Sequence, residues 1–571
     1  MLVQDRHFRL EWSGPEDIGR KAAAQNFADL TAMGARPVAL TAAVALPPQM
    51  MHQFLLAEIA GARGQVGLSS EAYIDLARRT RDPRVARRAA EIALFARHYD
   101  TALEAARLWA EIEPGADKPR QMMSGLLSVT SRSEELAAHL SRELDAAGEQ
   151  RGGLLMQLHR LLARHPDKLD AQRIVDKVTT PYLELPEAHF ARAQAAQAAR
   201  DTGVALSELD RALSLRSDWE PAALARAQLT GNAPEQIKFL AAFVEANPKA
   251  RDARLAYARA LVGEKRYGEA RGQFQMLLDN PDTANNGDVI FAVGVLSLQL
   301  HDFDEAEARF KRLVGMDHAE VDTARLYLGQ IGEDRKRWDE ALAWYGAVTP
   351  GNQYLPARMR AAHVLARQGK LAEARQLLQQ SSAGNPAERG QLLIAEAQIL
   401  REAGKGEDAY AVVAAGLAAH PDQTDLLYES AMLAERIDRL DVMERNLRRL
   451  IEIKPDHAHA YNALGFSLAD RNLRLDEALQ LIDKALQLAP EDPFILDSKG
   501  WVMFRRGDAQ GALEALQKAF ALRADPEIAA HLGEVLWTLG RQDEARHTWE
   551  AAAKVSPDNA PLLGTIKKYQ P

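Results

Sequence analysis

Cysteine is absent from this 571-residue chain, which excludes disulfides, thiolate zinc sites, cysteine nucleophiles and lipid attachment to a cysteine within it. No apolar run approaches the roughly 18 residues that a membrane-spanning helix needs, so the sequence predicts no transmembrane segment. The first residues, MLVQDRHFRLEW, lack the charged, apolar and small-residue order of a signal peptide. As written, the sequence predicts a cytoplasmic protein.

Basic residues are slightly outnumbered, with 71 Lys and Arg against 80 Asp and Glu and a net charge of −9. Because nucleic-acid binding depends on neutralising phosphates with Lys and Arg, this balance predicts no nucleic-acid partner. Aromatic residues make up only 6% of the chain, and strand-favouring runs are scarce, whereas hydrophobic residues reach 47%. The composition therefore predicts an all-α chain.

One short pattern is repeated three times between residues 458 and 557. Each copy carries a glycine on a first helical segment (Gly465, Gly500, Gly533) and an alanine on a second one (Ala478, Ala512, Ala545). The alanines lie 34 and 33 residues apart. Small residues at such positions let two helix axes approach closely. The period and the residue order resemble the tetratricopeptide repeat (TPR), a helix pair that stacks on its neighbours.

The resemblance implies an all-α TPR superhelical solenoid. At about 34 residues per unit, residues 51–560 accommodate roughly 15 helix pairs. We predict three domains: residues 1–48 as a short β-α-β fragment, 51–260 as partly degenerate helical repeats, and 261–571 as a regular array with a C-terminal cap. Residues 560–571 are expected to form a short polar cap or tail.

The first fifty residues do not share the repeat pattern. Their characteristic runs are 2–8 (LVQDRHF), 15–22 (PEDIGRKA), 26–30 (NFADL) and 32–37 (AMGARP). These runs resemble the first part of thiamine-monophosphate kinase. The resemblance implies that Asp29 corresponds to an aspartate that binds the magnesium of ATP, and that His7 borders the substrate site. A triphosphate with its magnesium ions needs several carboxylates, and the family's other acidic and glycine-rich elements are not found here. We therefore expect an inactive fragment, with an ATP-dependent kinase as the alternative.

A second resemblance covers nearly all of residues 51–571. It is carried by the runs 54–64 (FLLAEIAGARG), 78–83 (RRTRDP), 461–466 (YNALGF) and 496–501 (LDSKGW). They are similar to TPR outer-membrane lipoproteins that act as adaptors for a periplasmic carboxy-terminal processing protease. The resemblance implies a scaffold that binds the protease and its substrates at the periplasmic face of the outer membrane. The alternative is a cytoplasmic TPR scaffold with other protein partners.

Candidate partner-binding residues follow from the repeat register. Stacking places the first helix of each pair on the inner, concave wall, so its outward-pointing side chains face a ligand. In the last three units these residues are Asn462, Phe466, Asp470, Asp497, Trp501, Phe504, Arg505, Glu534 and Trp537. Aromatic groups beside charges are plausible anchors for an extended or helical segment. The alternative for Phe466 and Trp501 is simple packing between helices.

The densest basic patch is a second candidate surface, made of Arg78, Arg79, Arg81, Arg84, Arg87 and Arg88. Most such runs on helical repeats are solvated surface, and the functional alternative is docking of an acidic partner segment. No catalytic constellation stands out at diagnostic spacing, so we predict neither an enzyme nor a cofactor. His457 and His459 lie two residues apart on a helix start and point to different faces, which argues against a metal site.

Overall fold

The computed structural model describes residues 48–569, and this part of the chain is built from α-helices. It contains 31 α-helices and two single-turn 3₁₀-helices (Gly148–Gln150 and Thr180–Tyr182), with no strand between Pro48 and Tyr569. The predicted β-α-β fragment lies outside the described residues. Within the described part, no helix combines the length and the apolar character that crossing a bilayer requires.

The chain divides into two compact units, Met1–Leu277 and Leu278–Pro571. The first unit contains α1 (Pro48–Ala62), α2 (Val66–Thr80), α3 (Pro83–Phe95), α4 (Tyr99–Ile112), α5 (Asp117–Val129), α6 (Ser133–Ala146), α7 (Arg151–Leu162), α8 (Lys168–Thr179), α9 (Pro186–Ala198), α10 (Thr202–Leu215), α11 (Glu220–Leu229), α12 (Ala233–Ala246), α13 (Arg251–Gly263) and most of α14 (Tyr267–Leu278). The domain boundary predicted near residue 260 stays a prediction.

The second unit continues the alternation of first and second helices. It contains α15 (Gly287–Gln299), α16 (Phe303–Val314), α17 (Val321–Asp334), α18 (Trp338–Gly346), α19 (Tyr354–Arg367), α20 (Leu371–Gln380), α21 (Pro386–Glu402), α22 (Gly406–Ala419), α23 (Thr424–Arg436), α24 (Leu440–Ile453), α25 (Ala458–Asp470), α26 (Leu475–Leu488), α27 (Pro493–Arg505), α28 (Ala509–Leu522), α29 (Pro526–Thr538), α30 (Gln542–Val555) and α31 (Ala560–Tyr569). Helices α1 to α30 form 15 pairs, which confirms the predicted all-α TPR solenoid.

Local sequence sets where the helices begin and turn. Helix α27 begins at Pro493 because the Asp492 carboxylate accepts hydrogen bonds from the amides of Phe494 and Ile495, and proline suits the first helical position. A residue with positive φ follows the first helix of many pairs, for example Gly507 and Gly540 in the last two. This left-handed residue ends the first helix and directs the chain into the second.

Glycines allow the two helices of a pair to approach closely. A Cβ atom on Gly500 would lie 2.5 Å from Cγ of Leu516, and one on Gly533 would lie 2.0 Å from Nε1 of Trp549. Both distances are shorter than any real carbon contact, so only glycine fits without displacement. The predicted role of these glycines is confirmed.

Successive pairs of the second unit are also joined by ion pairs. The Glu307 carboxylate on α16, with an 11% exposed side chain, accepts hydrogen bonds from Arg337 (2.6 Å) and Lys311 (2.6 Å). Arg335 approaches the same carboxylate to 3.4 Å. The pKa of Glu307 is lowered to about 2. The hydrogen bond from Arg337 is the largest cause, burial acts in the opposite direction, and Lys311 lowers the pKa further. Glu307 therefore connects the pairs α15–α16 and α17–α18.

We expect Glu307→Gln to destabilise the second unit by about 2 kcal/mol at neutral pH, because a 1-unit pKa shift corresponds to about 1.4 kcal/mol and partial solvent access reduces the effect. A lowered pKa contributes stability that is present above the unfolded value of about 4.5 and is lost as pH falls through the folded value. Urea unfolding of wild type and variant at several pH values measures this difference. It should vanish near about pH 2, and a difference that persists there unchanged would contradict the ion-pair explanation.

The C-terminal segment, for which the sequence predicts a polar cap or tail, is helical. Residues 560–569 form the helix α31, and Leu562 is fully buried against the last pair in a cluster that includes Trp549 and Leu536. Its polar residues, Lys567 and Lys568, fall in the last turn, where basic side chains complement the helix dipole. The segment is a packed cap with one apolar face.

Candidate functional site

The second unit has an inner face made by first helices. Consecutive first helices contact each other at α19 and α21, α21 and α23, α25 and α27, and α27 and α29. Consecutive second helices make fewer contacts throughout the described part of this unit. First helices therefore lie on the inside of the curve, as the repeat register predicts.

The centre of this face between α25 and α29 is the imidazole of His531. Its ring stacks on the indole of Trp501 with a centroid distance of 4.3 Å and an angle of 24°. Its Nδ1 lies 2.9 and 3.0 Å from the two carboxylate oxygens of Asp497. The Phe466 ring lies 6.0 Å away. Three consecutive first helices thus meet at one side chain, and we call Phe466, Asp470, Asp497, Trp501 and His531 the His531 cluster.

Asp470 and Arg505 complete the surroundings of Trp501. The indole Nε1 donates a hydrogen bond to Oδ1 of Asp470 at 3.2 Å, and the Arg505 guanidinium lies 5.8 Å from the ring. Phe504 lies 5.6 Å from the same ring. Every polar group of the indole is satisfied, so the orientation of Trp501 is fixed by its neighbours.

Electrostatics favour a charged His531. Burial lowers the pKa of this imidazole, but the carboxylate of Asp497, with Glu534 and Asp470 further away, raises it more, and the net shift is upward. When protonated, the imidazole is a cation between an aromatic face and a buried carboxylate, which is the geometry of a combined ion pair and cation–π contact.

The structure divides the nine predicted inner-face residues into closed and open ones. Trp501, Asp497 and Glu534 are buried, with 5, 7 and 7% of their surface exposed, so for Trp501 the packing alternative describes its environment. The other residues keep accessible surface; they are Asn462, Phe466, Asp470, Phe504, Arg505 and Trp537. Among these nine residues, the open ones are those that a partner can contact directly.

Helix α31 contacts Glu534 and Trp537, the two predicted inner-face residues on α29. Lys568 Nζ donates to Oε1 of Glu534 at 2.7 Å, and the Tyr569 hydroxyl donates to the same atom at 2.9 Å. The Tyr569 ring also lies 5.7 Å from Trp537 and 5.8 Å from Trp549. Glu534 and Trp537 are therefore engaged by the chain's own cap, and the open part of the face lies on α25 and α27.

His531 lies at the centre of the cluster, and the sequence analysis does not predict it. The equivalent positions of the two preceding units, two residues before the glycine, hold Ala463 and Ser498. A histidine where the other copies have a small side chain was the available signal. Its partner Asp497 sits 34 residues earlier, one full repeat away, so the pairing is invisible within a single unit.

The six arginines of the basic patch each face a carboxylate. Arg81 reaches Glu111 at 2.7 Å, and Arg84 reaches Asp82 at 2.7 Å. The partners of Arg78, Arg79, Arg87 and Arg88 are Glu104, Asp75, Glu91 and Glu58. These exposed pairs neutralise much of the patch, and docking of an acidic partner there stays a prediction.

The described residues hold no group of three or more His, Asp or Glu side chains that could bind a metal ion. His457 is used locally, because its Nδ1 accepts the amide hydrogen of Ala460 at 3.1 Å and so caps α25. The rings of His457 and His459 lie 6.5 Å apart at 76°. His7 and Asp29, the positions that correspond to kinase residues, lie outside the described residues.

Two protein families match parts of the chain. The family described as AIR synthase related protein, N-terminal domain, matches residues 1–69. The family described as tetratricopeptide repeat matches residues 238–285, 294–354 and 499–561. The first match covers the amino-terminal segment, and the second covers separate parts of the repeat array.

Individual relatives repeat this division. The thiamine-monophosphate kinase of Corynebacterium glutamicum is 56% identical over 55 residues, which cover 10% of this chain and only 17% of the kinase. A thermophilic TPR protein of Thermus thermophilus aligns with 31% of this chain and 97% of its own at 22% identity, and its TM-score of 0.29 is too low to carry an argument. A TPR repeat-containing protein of Pseudomonas aeruginosa is 33% identical over 502 residues, covering 85% of this chain and 82% of the relative. The chain belongs to the family of this TPR repeat-containing protein.

Proposed function

We propose that the chain is a non-enzymatic scaffold that binds protein segments on the inner face of α25 and α27. The observation that carries the proposal is the contrast between a closed centre and open surroundings. Trp501 and Asp497 are buried and hydrogen-bonded, whereas Phe466, Asp470 and Arg505 keep accessible surface around them. Side chains held by a rigid centre lose little freedom on binding, which favours affinity. An aromatic ring beside opposite charges suits a segment that combines apolar and charged residues.

The partner is proposed from the second sequence resemblance. The runs 54–64, 78–83, 461–466 and 496–501 support a carboxy-terminal processing protease and its substrates as the bound proteins. The adaptor would act at the periplasmic face of the outer membrane, whereas a general TPR scaffold would work in the cytoplasm. Cell fractionation with an antibody against the chain distinguishes the two alternatives, because an envelope adaptor must leave the cytoplasm.

Kinase activity is the least supported alternative. Magnesium-dependent ATP turnover with thiamine monophosphate would establish it.

The binding proposal is tested by capture from a bacterial extract with the full chain as bait. The inner-face variant Phe466→Ala/Asp470→Arg should bind the partners at least about thirtyfold more weakly than wild type, because two central anchors at about 1 to 2 kcal/mol each together contribute about 2 to 4 kcal/mol. A PDZ-bearing serine protease among the lost proteins would support the adaptor proposal.

The matched control is Glu514→Arg, which makes the same charge reversal at an exposed position of the second helix α28. It should retain the partners as wild type does. Equal retention by the inner-face variant and by this control would contradict binding at the proposed surface.

The basic patch is tested separately with Arg84, Arg87 and Arg88 changed to Glu. Unchanged partner affinity at low salt would exclude docking there.

A further inference from the structure

One imidazole connects three consecutive helix pairs of the second unit. His531 on α29 is bonded to Asp497 on α27, stacked on Trp501 of the same helix, and lies 6.0 Å from Phe466 on α25. Phe466 belongs to the helix pair two units before that of His531. The contact therefore spans the inner face rather than one helix–helix interface. TPR units otherwise contact only their neighbours, which makes this link unusual in a solenoid.

The charged groups around His531 are mostly carboxylates. Asp497 faces it from α27 and Asp470 from α25, and Glu534 follows on its own helix. Two cations lie nearby: Arg505 beyond the Trp501 ring, and Lys568 of α31, which is bonded to Glu534. Within residues 48–569, no hydrogen bond or ion pair joins His531 to α28 or α30, the other helices packed on α29. Among these groups, His531 is the basic side chain in direct contact with the Asp497 carboxylate.

We propose that His531 is a pH-sensitive brace, which holds α25, α27 and α29 at a fixed spacing when protonated and releases them when it loses its proton. The inference rests on the proposed function to the extent that this spacing positions Phe466 and Asp470 for a partner. The brace itself is a property of the chain alone.

Deprotonation weakens each contact of the brace. The stack on Trp501 loses the attraction between a cation and the negative face of the indole. The charge-assisted hydrogen bond to Asp497 becomes a bond between a neutral ring and a carboxylate that is 7% exposed, and such a buried charge is costly without a cation beside it. The three first helices then keep their apolar contacts and neutral hydrogen bonds on this face, including the one from Trp501 to Asp470, but lose the attraction between opposite charges.

The direction of the pH effect follows from the raised pKa of His531. Stability that a raised imidazole pKa contributes is fully present below the unfolded value of about 6.5, and it is lost as pH rises through the folded value. The brace is thus closed in mildly acidic solution and open in alkaline solution.

The first test is a titration of the full chain labelled with ¹³C-histidine. We expect the His531 resonance to titrate above about 6.5, and Asp497→Asn to shift its midpoint downward because the hydrogen bond remains while the charge is removed. A His531 midpoint at or below about 6.5, or one that Asp497→Asn leaves unchanged, overturns the proposal.

The second test measures hydrogen exchange in α25 and α27 for wild type and His531→Gln. Glutamine can still donate to Asp497 but carries no charge. We expect wild type to be protected several-fold more than the variant near about pH 6 and equally near about pH 9. The same protection in both proteins at about pH 6 would overturn the brace. Neither test needs a partner, so their result is independent of whether the scaffold proposal holds.

Discussion

Gly533→Ala is expected to destabilise the last helix pair by about 3 kcal/mol, the upper part of the range for overpacking a well-packed site. The new methyl group would lie 2.0 Å from Nε1 and 2.3 Å from Cε2 of Trp549. This indole cannot move aside easily, because it is 1% exposed and lies 5.8 Å from both Trp537 and Tyr569. Native-state hydrogen exchange in α29 and α30 measures the local loss, which a global transition of a solenoid would blur.

The repeats of the second unit suggest how to rescue this variant. Aromatic residues lie opposite glycine in Gly294–Phe310, Gly329–Tyr345 and Gly533–Trp549, and aliphatic residues do so in Gly465–Ile482 and Gly500–Leu516. Alanine at the same position packs near an aliphatic residue in Ala362–Leu378, Ala397–Val413 and Ala431–Leu447. In the background of Trp549→Leu, Gly533→Ala should therefore cost less than it does beside the indole, because the two ring atoms nearest to the new methyl group are gone.

A helical glycine with free space is the control. No atom lies within 4 Å of a Cβ built on Gly564 of α31. Gly564→Ala should leave the last pair unchanged or stabilise it by up to about 1 kcal/mol, the difference in helix propensity. If Gly533→Ala behaves like Gly564→Ala, the close approach of α29 and α30 is not what requires glycine.

Leu562→Ala should destabilise the C-terminal cap by about 2 to 4 kcal/mol, as expected for removing a buried leucine and leaving a cavity. Leu562 is 0% exposed and packs with the cluster that contains Trp549, so its loss opens the contact between α31 and the last pair. The carboxylate of Glu534, which is 7% exposed, would then lose its bonds from Lys568 and Tyr569 whenever α31 detaches. Hydrogen exchange and tryptophan fluorescence of α29 to α31 report this detachment.

The adjacent Leu563 provides a matched control, because the same side chain is 43% exposed there. Leu563→Ala should change stability by no more than about 0.5 kcal/mol. Equal effects of the two substitutions would show that α31 does not cap the last pair through its buried face.

The repeat architecture could be predicted from the sequence because each structural requirement recurs about every 34 residues. Gly465, Gly500 and Gly533 mark the close approach of two helices, and the structure places an atom within 3 Å of the missing Cβ in all three cases. A requirement that occurs only once gives no such signal. The burial of Leu562 in the ten-residue helix α31 was not predicted for this reason, because this segment occurs once and its last turn carries two lysines.

The repeat register predicts which helices form the inner face, but it does not predict which of their side chains are buried. Register located Trp501 and Asp497 on the correct helix, yet both side chains are closed by His531, which belongs to the next unit. Contacts between units depend on the rotation of each helix relative to its neighbours. The spacing of small residues does not determine this rotation. The same limit applies to Arg81, whose charge is balanced by Glu111, 30 residues away.

The central claim is that partners bind the inner face of the second unit, and site-specific photo-crosslinking tests it most directly. A benzoylphenylalanine is placed at position 466 on the inner face, and in a second protein at Leu522, which is 51% exposed at the end of the second helix α28. Both proteins are irradiated in living cells, and the adducts are identified by mass spectrometry. We expect specific protein adducts at position 466, and we expect none of these adducts at position 522. The same adducts at both positions, or adducts only at position 522, would contradict the central claim.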